Sequence, residues 1–276
     1  MSRRLIINAD DFGWDDFASE AILDLASRKA ITSTTIMANL VKESHLSELK
    51  KQPSISTGLH LNLIDGKPVS IPGEIKSIVD SKGVFFSSSE LFKRYLSGKV
   101  NKEHIIKETK AQIEYLRLSG IEISHADSHQ HLHIYPFIGK DILTAFFQSG
   151  ITKVRRVNVP DYFDKRRAVI KMFYLFSAPS MHKFKSPVRL LSDFSVARDA
   201  SDEIVKKSFS KIKGVTEMMI HPASKLRKGS YLNRVAEYNY LKKGNCIRLL
   251  EEQNIQLINY NDFQRSDVES IHRILH

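Results

Sequence analysis

The chain has 276 residues, of which 42% are hydrophobic and 26% charged; it carries a single cysteine and a formal net charge of +11. The length suits one α/β barrel, so one domain over residues 1–276, and the composition excludes a disordered chain, while Cys246 alone excludes an internal disulfide or a cysteine metal cluster. The positive charge, much of it between residues 165 and 228, reads as a solvated surface and not a nucleic-acid site, because no DNA- or RNA-binding motif accompanies it.

The chain opens on Arg3-Arg4 and then Leu5-Ile6-Ile7, which resembles a signal peptide only until Asn8-Ala9-Asp10-Asp11 ends the apolar run. No stretch has the length of a membrane helix. With the reducing compartment that one cysteine implies, the expected location is the cytoplasm. The first predicted strand, 5–9, runs straight into Asp10 and Asp11. One carboxylate there could cap the helix predicted over 15–28. Two adjacent ones are costly unless a cation or hydrogen bonds offset their repulsion. A strand at 33–38 and a helix at 43–50 follow.

The strand at 56–63 contains Gly58-Leu59-His60-Leu61-Asn62-Leu63. Strand side chains alternate faces, so the leucines pack under outer helices and His60 and Asn62 face the barrel mouth. His60 is equally readable as a metal ligand or as a hydrogen-bonded interior histidine. Residues 65–98 form a first insert, rich in Gly, Pro and Ser. A helix at 102–119 is closed by Gly120, and a strand at 122–127 leads into His125-Ala126-Asp127-Ser128-His129-Gln130-His131-Leu132-His133. Four histidines and an aspartate in nine residues point to a transition-metal site, with His125, Asp127, His131 and His133 readable as groups that orient whichever side chains bind the ion.

A helix at 137–149 and a strand at 153–157, carrying Arg155, come next. The second insert, 160–200, is basic and aromatic. Both inserts read as walls of a substrate cleft or as contacts of a homodimer. A helix at 202–212 precedes the strand 217–220, which ends in His221-Pro222. Pro222 holds His221 extended, and at a barrel mouth His221 is a candidate general acid or base, with Glu217 the carboxylate that would keep it protonated. A helix at 234–252 and a strand at 255–258 finish the pattern. Trp14, Tyr135 and Tyr162 are readable equally as apolar faces for a ligand near the mouth and as packing.

The alternation of strands and helices predicts an α/β fold, a distorted TIM-like barrel of seven parallel strands. In such a barrel the C-terminal strand ends share one mouth. Asp10, Asp11, His60, His129, Arg155 and His221 would meet there.

Asn8-Ala9-Asp10-Asp11-Phe12-Gly13, Thr32-Ser33-Thr34-Thr35 with Met37-Ala38-Asn39, Gly58-Leu59-His60-Leu61-Asn62-Leu63, Asp127-Ser128-His129-Gln130-His131-Leu132-His133 and His221-Pro222 together resemble the YdjC family of carbohydrate deacetylases, which includes chitooligosaccharide deacetylases. The resemblance implies a TIM-like barrel that removes N-acetyl groups from amino sugars or chitooligosaccharides with a divalent metal, Mg2+ or Zn2+, releasing acetate. It implies Asp11, His60 and His129 as metal ligands, Asp10 as base, His221 as acid and Arg155 beside the base. The chain departs from the family pattern at Ala223, where glycine is common, and after Arg155, where Arg156-Val157-Asn158 stands in place of a glutamate. The alternatives are a metal hydrolase of another amide or of a phosphate ester, and a non-catalytic glycan-binding barrel.

Overall fold

The computed structural model describes residues 3–157, 165–196, 200–226 and 232–264. In chain order its elements are β1 (Arg4–Phe12), α1 (Asp16–Ser27), β2 (Ser33–Ile36), α2 (Glu43–Leu49), β3 (Ser56–Leu61), α3 (Ser88–Leu96), α4 (Lys102–Leu118), β4 (His125–Ser128), α5 (Ile138–Gln148), α6 (Lys165–Met181), β5 (Arg189–Leu191), α7 (Asp193–Val196), α8 (Asp202–Phe209), β6 (Val215–Ile220), α9 (Arg234–Lys242), α10 (Asn245–Glu252) and β7 (Gln256–Leu257).

The strands pair in parallel in the order β4-β3-β2-β1-β6-β5, and β7 pairs with the start of β1. The sheet curls. Ala126 of β4 bridges Val154, Lys153 bridges Lys185, and the chain runs from there into β5. The predicted strand at 153–157 is thus reduced to bridges, and β5, inside the segment read as an insert, takes over its place beside β6. The result is the expected α/β architecture, a distorted TIM-like barrel. The predicted helix over 234–252 is two helices, α9 and α10, parted at Gly244 in the left-handed conformation (φ 78°).

Alternation decides what each strand residue meets. Along β1, Leu5, Ile7 and Ala9 join the large apolar cluster shared with the helices. Ile6 faces the other way and packs with Val215, Ile258, Tyr260 and Phe263. Asn8 and Asp10 share that inner face with Ile6, so the barrel interior is apolar at its floor and polar toward its mouth. The same rule places Met218 and Ile220 of β6 in the outer cluster and leaves Glu217 to the interior.

Helix α1 is capped by Asp15, whose side chain accepts from the Ala18 backbone N–H. That leaves Asp10 and Asp11 free of capping duty. Tyr162 lies outside the described residues. Among the described residues no helix is long and apolar enough to cross a membrane.

Candidate active site

Two adjacent strand residues normally face opposite sides. Asp10 and Asp11 both reach the mouth because β1 is irregular there: Ala9 pairs with Thr34 but Phe12 with Ile36, so three steps on β1 oppose two on β2. A bulge of this kind re-aims a side chain. Asp11 takes up the extra residue in a left-handed conformation (φ 69°), which aspartate tolerates better than most residues.

Asp11 Oδ1 lies 3.2 Å from His60 Nε2 and 3.1 Å from His129 Nδ1, and the two ring nitrogens are 3.4 Å apart. His60 is aimed from behind: its Nδ1 is 2.6 Å from Asp127 Oδ1. With the proton on Nδ1 for Asp127, Nε2 presents a lone pair to the Asp11 carboxylate, and two acceptors face each other unless a cation or proton lies between them. Burial disfavours a charged His60, yet Asp127, Asp11 and Asp10 outweigh it and raise the ring to about 10. One carboxylate and two imidazoles, with an oriented ring and coordination positions left over, are a donor set that fits a catalytic divalent cation. Five buried carboxylates (Asp10, Asp11, Asp127, Glu217, Glu237) against two guanidiniums (Arg155, Arg234) and a protonated His60 leave a surplus of negative charge that such a cation would offset.

Asp10, His60 and Asp127 also lie close enough to one another to share an ion. There the positive charge is already supplied by Arg155, whose Nη1 is 2.6 Å from Asp10 Oδ2 and 2.7 Å from Asp127 Oδ2. Arg155 is fully buried and spends its five N–H groups on three carboxylates: both oxygens of Asp10, one of Asp127, and Glu217 from Nε (2.8 Å) and Nη2 (2.6 Å). Burial would raise the Asp10 carboxyl, but Arg155 holds it well below the usual carboxylate range.

His221 Nε2 stands 3.7 Å from Asp10 Oδ2. Its backbone N–H donates to Glu237 at 2.5 Å. Burial pulls the ring down to about 4, although Asp10 and Asp11 work the other way. The expected role of Glu217 as the group that keeps His221 charged is not what the structure gives. Glu217 is engaged by Arg155 and by the Tyr260 hydroxyl (2.6 Å), and Asp10 is the carboxylate near His221. Asn62, expected to face the mouth, instead shapes the following loop: its Oδ1 accepts from the Ile64 and Asp65 backbone N–H groups.

The family model described as YdjC-like protein matches residues 4–252. This chain belongs to the YdjC-like family. It is similar to a carbohydrate deacetylase of Brevibacillus brevis, with 27% identity over 94% of this chain and 99% of that protein. A chitooligosaccharide deacetylase of Yersinia enterocolitica is 34% identical over 50% of this chain and 53% of its own length. A human carbohydrate deacetylase is 32% identical over 56% of this chain and 50% of its own length. The fold matches a crystal structure of an Enterococcus faecalis protein assigned to cellobiose-phosphate cleavage, with a TM-score of 0.76, 24% identity, and coverage of 95% of this chain and 98% of that one.

Three site residues of this YdjC-like chain were not singled out from its sequence. Arg234 Nη2 bonds Asp11 Oδ2 at 2.6 Å and its Cζ lies over the Trp14 ring at 4.4 Å, so Trp14, which also donates to Asp65 (2.7 Å) and flanks His129 (5.6 Å), is part of the wall beside Asp11 and His129. Glu237 and Tyr260 are the other two. Arg234 and Glu237 sit three apart at the start of α9, a spacing that puts them on one helix face, and that spacing was the available signal. Nothing local marks Tyr260. Of the histidines read as orienting groups, His133 stays neutral, lowered to about 3 by burial, and bridges Ser128 Oγ (2.6 Å) and the Arg155 carbonyl (3.2 Å).

Proposed function

We infer that this chain is a metal-dependent carbohydrate deacetylase that hydrolyses the N-acetyl amide of amino sugars or chitooligosaccharides, releasing acetate. The observation that carries the reading is the convergence of Asp11, His60 and His129 within 3.4 Å of one another, beside an ionised Asp10 and a neutral His221. Asp11, His60 and His129 would hold the divalent ion, Mg2+ or Zn2+, which when bound polarises the acetyl carbonyl and lowers the pKa of water.

Asp10, kept ionised and oriented by Arg155, accepts the proton of the attacking water. His221 is neutral at rest, so it cannot donate from its own store. At 3.7 Å from Asp10 Oδ2 it is placed to take that proton on and deliver it to the departing amine. Base and acid then form one shuttle, and each turnover returns both groups to their starting states. Amide hydrolysis needs this donor because an unprotonated amine leaves poorly. The buried lone cysteine, Cys246, suits a reducing compartment, and we assign the enzyme to the cytoplasm.

Metal analysis of the purified protein together with acetate release from acetylated chitooligosaccharides tests the reading. The expected result is a bound divalent ion and metal-dependent acetate release. Turnover of phosphate esters without acetate release, or sugar binding without turnover, would overturn it.

A further inference from the structure

Beneath Asp10 the barrel interior is polar, and its polar groups form a closed circuit. It passes through Asn8, Asp10, Arg155, Glu217, Tyr260 and His125, each at most 1% exposed. Two arms lead from Tyr260 to Asp10. In the first, the Tyr260 hydroxyl donates to Glu217 Oε2 (2.6 Å), Glu217 Oε1 accepts from Arg155 Nε (2.8 Å), and Arg155 grips both Asp10 oxygens (2.6 Å each). In the second, the Tyr260 ring lies flat on His125, with ring centres 3.6 Å apart and planes 7° from parallel. His125 Nε2 is 3.3 Å from Asn8 Oδ1, and Asn8 Nδ2 donates to Asp10 Oδ1 at 2.8 Å.

Tyr260 stands outside the part of the chain that the family model matches, which ends at residue 252. The segment after β7 brings it under the barrel. Its backbone N–H donates to Ser56 Oγ (3.0 Å), its carbonyl accepts from Lys153 Nζ, and its ring closes the floor with Ile6, Val215, Ile258 and Phe263. A phenylalanine would fill that floor as well. The hydroxyl adds something else: it fixes the second oxygen of the carboxylate that aligns Arg155. With Glu217 free to turn, the guanidinium loses one of its three anchors, and a planar fork that tilts no longer presents Asp10 in a single orientation.

We propose that Tyr260 is a positioning residue of the reaction, holding the general base Asp10 in line from the barrel floor through Glu217 and Arg155. The proposal rests on Asp10 being the base, so the experiment carries a control for that reading. Tyr260→Phe keeps the ring, its stacking on His125 and the floor, and removes only the donor. With acetylated chitooligosaccharide as substrate, Tyr260→Phe should lower kcat by roughly tenfold or more, the size expected for a lost hydrogen bond to a charged group. KM and the affinity for Zn2+ alone by titration calorimetry should stay as in the wild type, while the unfolding temperature falls by a few degrees, about what one buried carboxylate oxygen without its donor costs, and the chain stays folded at the assay temperature. In a Glu217→Gln background the same substitution should have little further effect, because both act through one path. Asp10→Asn is the control. If it keeps wild-type kcat, the base reading fails and the proposal falls with it. If Asp10→Asn abolishes turnover while Tyr260→Phe turns over normally, only the positioning role is overturned. Full additivity with Glu217→Gln, or a kcat loss that tracks lost Zn2+ affinity, also overturns it.

Discussion

Asp10 and Asp11 are neighbours in sequence and opposites in surroundings. Asp10 stands where the mouth meets the polar interior, and Arg155 and Asn8 hold its oxygens from below. Asp11 points across the mouth, where one oxygen meets His60 and His129 and the other meets Arg234. Both are buried and both are held below the usual carboxylate range, Asp10 by Arg155 and Asp11 by Arg234, against the opposing cost of burial. What separates them is therefore not acidity but the partner each offers to a third body. Asp10 faces His221, and Asp11 faces two imidazole nitrogens. On the proposed reading, a single bulge in β1 turns one dipeptide into a base and a ligand.

The most direct way to break that comparison is to neutralise each aspartate in turn. Asp10→Asn should keep metal affinity and lose about 10²–10⁴ in turnover. Asp11→Asn, which suits the left-handed backbone there, should lose the metal instead. Calorimetric metal titration and acetate release on both variants decide the matter, and the reverse pattern would swap the two roles.

His221→Ala tests the other end of the proton path. Turnover of N-acetyl sugars should fall by about 10²-fold or more, with metal and fold retained. An activated acetyl ester, whose leaving group needs little help, should suffer less. Equal losses on both substrates would assign His221 to binding or to shaping the pocket.

The Asp11 side should also be the one that couples to pH through the ion. In the metal-free protein His60 carries a proton up to about 10, and metal must displace it. Affinity should therefore rise with pH, by roughly tenfold per unit through the neutral range, and level off as pH passes the metal-free value. Calorimetry in buffers of different ionisation enthalpy should show a proton released on binding at pH 7. No release would mean that His60 is already neutral in the free protein.

The smallest expected effect concerns the Asp10 side alone. A Cβ at Gly58 would come within 2.5 Å of the His125 ring, and Tyr260 stacked behind that ring leaves it little room to yield. Gly58→Ala should cost about 1–3 kcal/mol in unfolding free energy by overpacking. It should disturb turnover before metal affinity, because His125 leads to Asp10 and not to Asp11.

Much of this was legible in the chain itself. Short β-type runs between helical stretches located β1, β2, β3, β4, β6 and β7, and abrupt polar endings on apolar strands marked Asp10, Asp11, His60, His129 and His221. Those signals are local: a buried strand must be apolar, so a charge at its end stands out. The strand at 153–157 was over-read and β5 was missed, because three residues inside a basic stretch carry too little pattern to outweigh their neighbours. Asn62 was misplaced since alternation predicts a face but not that a loop will claim the amide.

By itself the sequence determined which residues had to be buried, the α/β order, and the polar groups that a barrel mouth would gather. Only the tertiary structure decided how they are arranged against one another. The bulge that turns Asp11 beside Asp10, the three carboxylates around Arg155, the closure of Arg234 on Asp11 and the reach of Tyr260 from below all join residues on different elements. Their partners are as much as 223 positions apart. Hydrogen bonds and ion pairs act over a few ångströms in space, and no local pattern in a linear chain records which distant group will arrive within that range.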